Sequence, residues 1–261
     1  MVLAFEGRLE TEAGDSSLKK IDLHVHTPAS ACYGDKSVSP TQIVDAALAA
    51  GLAAIAVTDH NSAAAVDEMR KAGKEKGLFV FPGVEISSKE GHLLALFDLD
   101  TPKLVLEDLL DRAGLPQEGR GDGHTLAGYG METVFQMVVE LGGIAVAAHI
   151  ERWPSGLLES KQPRAAKAQI VASELLSALE ITLPQNKRQW NEGKMWGYPT
   201  KRACIQASDA HSLAEIGRRP VFVRMDRVDL ASLKLALQEF ETRVFFPEEL
   251  ISASPASTGA G

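Results

Sequence analysis

The chain has 261 residues, 45% of them hydrophobic and 24% charged, with a formal net charge of −8. That is an ordinary globular composition, long enough for one barrel-sized domain or two small ones, with no apolar run near the roughly 20 residues that span a bilayer. The acidic balance disfavours passive electrostatic binding of nucleic acid, but not an enzyme acting on phosphates, because divalent ions in an acidic pocket reverse the local field. The start, "MVLAFEGRLE", lacks a basic segment followed by an apolar block, so no signal peptide is expected. Two cysteines, Cys32 and Cys204, make no disulfide framework. A cytoplasmic, reducing location is expected.

In chain order, "KKIDLHVH" reads as a strand. "SPTQIVDAALAAG" reads as a helix capped by Ser39, with Pro40 in its first turn and Gly51 as its stop. "LAAIAVTDH" is a buried strand, and "SAAAVDEMRKAGKEKG" is a helix ending at Gly77. "LFVFPGVEIS" and "GHLLALFDL" are strands, "METVFQMVVELGG" a helix and "IAVAAH" a strand. "AAKAQIVASELL" is helical and "ALEITL" a short strand; "ACIQASDAHS" and "PVFVRM" are strands, and "DLASLKLALQEF" is the last helix. This alternation predicts a parallel sheet covered by helices, and seven or more strands favour a barrel over an open sheet. A single domain over 18–250 is expected, with flexible tails at 1–17 and 251–261. The glycine-rich stretch 115–130 reads as a long loop, either a connector or a lid over substrate.

Six of the seven histidines fall at strand ends: His24, His26, His60, His92, His149 and His211; His124 lies in the glycine-rich loop. His24 and His26 share one face of their strand by its period of two. Asp22, Asp35, Asp59, Glu85 and Asp209 cluster at the same places in the sequence. Any one of these has an ordinary structural reading, a hydrogen-bonded strand-end histidine or an Asx turn. The sum does not, because in a β/α fold all converge on the C-terminal rim of one sheet. Crowding so many polar groups there without a cation costs several kcal/mol. Mixed imidazole and carboxylate donors suit Zn, Mn or Fe. The set is too large for one tetrahedral site, and no cysteine stands near it in a spacing typical of structural zinc.

The ordered series "DLHVHT", "TDH", "GVE", "HLL", "AH" and "SDAH" resembles the PHP (polymerase and histidinol phosphatase) family over about residues 20–211. The resemblance implies an α/β fold, a distorted (β/α)7 TIM-like barrel of the PHP type, holding two or three divalent metal ions (Mn, Zn or Fe) at the strand C-termini. Carried over by position, it implies that His24, His26, Glu85 and Asp209 hold one ion. Glu85 then bridges to a second ion, held also by His92 and His149, and Asp35, His60 and His211 hold a third. Asp22 and Asp59 would orient the ligand histidines. Two departures stand out. Many relatives carry proline after the histidine matching His149, where this chain has Ile150, and the gap from Glu85 to His92 is short.

The implied activity is metal-dependent hydrolysis of phosphate esters by a metal-bridged hydroxide. Arg152, Arg202, Arg218 and Arg219 are candidates to clamp phosphate, with the pair in "EIGRRP" foremost and a solvated surface charge the alternative for each. Trp153, Trp190, Trp196 and Tyr198 read as packing rather than base stacking. The expected substrate is a nucleotide or a short single-stranded nucleic-acid end, without a membrane. The chain is expected to act alone or with a separate ATPase-like partner, because some relatives carry such a region and this chain has no P-loop motif. The alternatives are a small-molecule monophosphatase of the histidinol phosphatase kind, and a non-catalytic metal-binding accessory module.

Overall fold

β1 (Leu18–Val25) is buried on both faces from Ile21 onward, which is what a strand in the middle of a covered sheet requires. It lies parallel to β2 (Ala54–Val57), which lies parallel to β3 (Phe79–Ser88). The computed structural model describes residues 17–252. The expected tails thus lie outside the described residues, except that a C-terminal helix reaches Ser252, two residues into the expected tail.

One nine-stranded sheet organises the chain, in the order β7-β6-β5-β4-β3-β2-β1-β8-β9. β4 (Gly91–Leu96), β5 (Ile144–Ala147), β6 (Leu176–Glu180), β7 (Cys204–Ile205), β8 (Val221–Arg224) and β9 (Val244–Phe245) complete it. The sheet is not parallel throughout. β4 runs antiparallel to both β3 and β5, and β8 runs antiparallel to β1. The cause is local: Ser88–Gly91 is a tight hairpin, and Gly91 adopts φ 135°, which only glycine tolerates easily. The short gap from Glu85 to His92 is this hairpin.

Of the predicted strand "ACIQASDAHS", only Cys204 and Ile205 pair with β6. The rest returns alongside β1, where Val25 and Ala210 form a parallel bridge and His26 N–H donates to Ala210 O at 3.0 Å. β8 occupies the other half of that edge, against Leu18–Ile21. The sheet therefore nearly closes into a distorted TIM-like barrel, with β1 as the seam.

Helices cover the sheet. α1 (Pro40–Ala49) begins at a capping box between Ser39 and Gln42, and α2 (Val66–Lys76) ends at left-handed Gly77. β2 alternates, sending Ala54 and Ala56 to the large core and Ile55 and Val57 to a second cluster under α1 and α2. α4 (Met131–Glu140), α5 (Arg164–Ala172) and α7 (Leu230–Gln238) match the predicted helices. α3 (Lys103–Arg112), α6 (Lys187–Glu192), α8 (Phe240–Arg243) and α9 (Pro247–Ser252) complete the order. α3 was not expected, although Leu106, Leu109 and Leu110 bury one face at helical spacing. Leu23, Phe81, Leu93 and Phe135 are fully buried, each contributing about 1.5–3 kcal/mol of burial. Among the described residues no helix is long and apolar enough to cross a membrane.

Candidate metal centre

Glu85, fully buried, is the hub of the rim. Its Oε1 lies 2.8 Å from His92 Nδ1 and 2.9 Å from His149 Nε2. Its Oε2 lies 2.9 Å from His60 Nδ1, 3.1 Å from His24 Nε2 and 3.2 Å from His26 Nε2. Asp209 closes the other side, with Oδ1 3.0 Å from His26 Nε2 and 3.3 Å from His24 Nε2. His211 packs on His26 with ring centroids 4.1 Å apart. All six strand-end histidines are thus brought together. His92 arrives from the start of an antiparallel strand, which the hairpin places at the same rim as the end of β3.

The rim is held by backbone that few residues adopt. Asn61, His149 and Asp209, each at a strand exit, have φ of 48°, 27° and 49°. Such conformations cost of order 1–3 kcal/mol apiece and persist where surrounding contacts fix them. Around His149 the contacts are explicit: Ile150 N–H donates to Glu180 O at 2.9 Å, and Arg152 N–H to His149 O at 2.8 Å. A proline in place of Ile150 would lack the first of these bonds.

Orientation of the rings leaves nitrogens free for a cation. Glu180 Oε2 sits 2.8 Å from His24 Nδ1, so the carboxylate accepts that proton and His24 Nε2 keeps its lone pair. Ser30 Oγ donates to Asp59 Oδ1 at 2.6 Å and accepts from His26 Nδ1 at 2.9 Å, which does the same for His26. Asp59 therefore orients His26 through one hydroxyl. Asp22 does not touch a ring. Its carboxylate accepts from Ser208 N–H at 3.0 Å and Gly217 N–H at 2.9 Å, tying down the chain that carries Asp209 and His211. Burial raises the Asp22 pKa against those bonds. Glu180, absent from the sequence reading, is the carboxylate that takes this orienting place, on His24.

Three groups of donor atoms lie within 4.8 Å of one another: His24, His26, Glu85 and Asp209; His60, Glu85 and His92; and His26, His60 and His211. Asp35 joins none of them. It is exposed, and its Oδ1 accepts from Ser37 N–H at 2.9 Å and Ser37 Oγ at 2.7 Å, an Asx turn that holds it away from the rim. Cys32 faces the rings instead. Burial would raise its thiol, but hydrogen bonds to His211 and His60 hold it at about 6.

The residues fit bound cations. Glu85 Oε2 is buried with ring nitrogens of His60, His24 and His26 at 2.9, 3.1 and 3.2 Å, yet none of these contacts is aligned as a hydrogen bond, an unusual cost that metal ligation removes. Without a cation the charges are compensated by protons. Burial would lower His24, yet Asp209, Glu85 and Glu180 hold it well above the usual imidazole value. His60 is likewise raised to about 10 against burial, chiefly by Glu85. Burial would raise Glu85, but His60 and His24 hold it well below the carboxylate range.

Metal uptake must displace these protons. Addition of Mn²⁺ or Zn²⁺ to metal-free protein at neutral pH is expected to release at least one proton per chain, with affinity rising toward about pH 10 as His60 titrates. Calorimetry in two buffers of different ionisation enthalpy measures it, and zero release contradicts it. The stability sign is opposite. The raised His60 stabilises the metal-free fold fully below its ordinary 6.5, and this is lost as pH climbs through about 10.

A cleft of about 970 Å³ opens onto the rim, with Arg152, Trp153, Lys89 and Lys161 on its walls. Arg152 Nη1 donates to Asp209 Oδ2. The other candidate arginines do not line it. Arg218 pairs with Glu215 at 3.0 Å, Arg219 donates to the Ile181 and Thr182 carbonyls at 3.2 and 3.1 Å, and Arg202 binds carbonyls at the end of α5. Trp190 and Tyr198 are buried packing, Trp196 stacks on Arg164 at 3.6 Å, and Trp153 stands exposed at the cleft. The glycine-rich loop lies against the rim: Gly121 N–H donates to His60 O at 2.9 Å. A Cβ on Gly123 would sit 2.9 Å from the His60 ring.

A family model described as "PHP domain" matches residues 22–180. The chain is 37% identical over 119 residues to a 5′-3′ exoribonuclease of Haemophilus influenzae, covering 38% of this chain and 42% of that protein. It is 30% identical over 123 residues to a 3′,5′-nucleoside bisphosphate phosphatase of Chromobacterium violaceum, covering 45% and 42%. The matched segments thus span about two fifths of these relatives' length. Among solved structures, the lesion-specific endonuclease PfuEndoQ from Pyrococcus furiosus superposes with a TM-score of 0.66 at 16% identity, over 87% of this chain and 57% of that one. That likeness is one of fold.

Proposed function

The chain belongs to the PHP domain family, and from that premise we propose that it hydrolyses phosphate esters of nucleotides or nucleic-acid ends. The observation that carries this is the buried imidazole and carboxylate cluster around Glu85, opening onto a cleft with Arg152, Lys89 and Lys161 on its walls. His24, His26, Glu85, Asp209, His92, His149, His60 and His211 would hold two or three divalent ions, of Mn, Zn or Fe. When bound, such ions neutralise phosphate oxygens and acidify a water for attack.

The chain's own residues do the rest. Arg152 leans on Asp209 and presents its guanidinium to the cleft, where it can meet phosphate oxygens bidentately. Lys89 and Lys161 add positive charge along the path of a phosphodiester. Asp209, held well below the carboxylate range by His24 and His26 against the pull of burial, stays ionised at neutral pH and fixes Arg152. The named relatives that act on an RNA end and on a nucleoside bisphosphate favour a nucleotidic substrate over histidinol phosphate. The reaction is downhill in water and needs no ATPase partner. With both cysteines free, a reducing cytoplasm suits the chain.

Protein loaded with Mn²⁺ and offered a nucleoside 3′,5′-bisphosphate, a single-stranded oligonucleotide and histidinol phosphate tests the reading. Turnover of either of the first two supports it. Turnover of histidinol phosphate alone overturns the substrate, and none with any metal overturns the activity. In the same assay Arg152→Ala is expected to lower kcat/KM about tenfold, chiefly through KM. One charge-assisted bond is worth about 1.5–3 kcal/mol, and its side chain is 42% exposed. An unchanged KM would remove Arg152 from the phosphate site.

A further inference from the structure

Resting on the phosphoesterase reading above, we infer that Trp153 is a stacking platform for the nucleobase of the substrate, a subsite beside the metal centre. The three tryptophans differ in what covers them. Trp190 is fully buried, and Trp196, although 74% exposed, has the Arg164 guanidinium over its ring at 3.6 Å. Trp153 is 77% exposed, and among the described residues no ring or cation stacks on it. Unlike an apolar side chain scattered on an open surface, it lines the cleft together with His60, His92, His149, Asp209 and His211. The packing role its sequence suggests is therefore not the one it has.

Position decides what covers it. Trp153 directly follows Arg152, whose guanidinium bonds Asp209 at the rim. In a nucleotide one sugar joins phosphate to base, so a phosphate held by Arg152 brings its base to the neighbouring side chain. The turn that presents the indole is fixed. Arg152 N–H donates to His149 O at 2.8 Å, Gly156 N–H to Arg152 O at 2.6 Å, and His92 N–H to Ser155 O at 3.0 Å. The turn also packs directly on the hairpin before β4: a Cβ on Gly91 would sit 2.8 Å from Ser155 O. A ring already held in place loses little freedom when a ligand stacks on it.

The rest of the cleft suits the same occupant. Its volume of about 970 Å³ is far more than a phosphate needs. Leu126, 52% exposed, adds apolar surface from the glycine-rich loop, which is tied down by Ala127 N–H to Ser87 O and Asn61 Nδ2 to Thr125 O, both 2.8 Å. Arg152, Lys89 and Lys161 supply positive charge against Asp122 and Glu159 on the same walls, and bound cations add more. An aromatic face beside positive charge is the combination that takes a nucleotide. A base-free sugar phosphate would leave the indole uncovered. Stacking reads a π-face rather than a base edge, so the subsite tolerates every base.

The test is steady-state kinetics of Mn²⁺-loaded protein on a nucleoside 3′,5′-bisphosphate and a single-stranded oligonucleotide, each beside a counterpart lacking its base or terminal bases. Wild type is expected to favour the substrate that carries the base by about ten- to a hundredfold in kcat/KM. Trp153→Ala is expected to lose most of that preference, through a higher KM for the substrate with the base. Trp153→Phe is expected to keep most of it, and Trp196→Ala all of it. Equal turnover with and without the base by wild type, or a preference that survives Trp153→Ala, overturns the subsite and leaves the phosphoesterase reading standing. Turnover of none of the four substrates overturns that reading, and the subsite with it.

Discussion

Glu85→Gln is expected to lower kcat/KM roughly a thousandfold and to strip most of the bound metal. The carboxylate places five histidine nitrogens within 3.2 Å of its two oxygens, and it is fully buried. Glutamine keeps the shape but loses the charge, and its NH₂ faces ring nitrogens whose lone pairs should point inward. Metal catalysis is worth several kcal/mol of transition-state stabilisation, and about 4 kcal/mol is roughly a thousandfold. The change is also felt without metal. In the metal-free protein His24 and His60 are raised and Glu85 is lowered because they compensate one another. Removing one partner of a buried ionic pair costs about 3–5 kcal/mol, reduced here because histidines, unlike arginines, can discharge by losing a proton. Metal analysis, steady-state kinetics and thermal unfolding in chelator measure the three effects. Wild-type metal content and turnover in the variant would show that Glu85 is not the hub.

The histidines could be found without coordinates because strands have a fixed period and β/α folds a fixed functional edge. His24 and His26 show both, and so does Glu85 in the C-terminal half of β3. His92 was found for an incomplete reason. It opens an antiparallel strand, and reaches the rim only because Ser88–Gly91 turns within one hairpin. Loop residues obey no such period. Asp35 lies in such a loop, and only its Asx turn with Ser37 decides that it faces away from the rim. The arginines illustrate the same limit. Arg218 and Arg219 follow "SDAH" closely, yet the chain between is drawn back by Asp22 and Glu215, so both bind protein oxygens. Arg152 reaches the cleft from a turn whose shape depends on the left-handed backbone at His149. α3 was overlooked for a different reason: its apolar spacing is regular, but its flanks carry no capping side chain.

Glu180→Ala is expected to weaken metal binding about 10–100-fold, with turnover recovering at saturating metal. This is the effect usual for losing a carboxylate that orients a ligand histidine. Glu180 is 2% exposed and ends β6, the strand beside β5 in the sheet. Its 2.8 Å bond to His24 Nδ1 decides which nitrogen of that ring carries the proton. Without it, His24 can turn its protonated nitrogen toward Glu85 and Asp209, where a proton and a metal compete for the same place. The sequence held part of the signal, since "ALE" lies in the predicted strand "ALEITL" as "GVE" lies in "LFVFPGVEIS", but only the "GVE" carboxylate belongs to the motif series. Glu180→Gln separates the two roles of the side chain. Its amide oxygen can still accept the Nδ1 proton, so a loss smaller than in the alanine variant assigns the effect to orientation. An equal loss assigns it to charge. Metal affinity measured by competition with a chelator distinguishes them, and unchanged affinity in both variants would show that His24 is oriented by the fold alone.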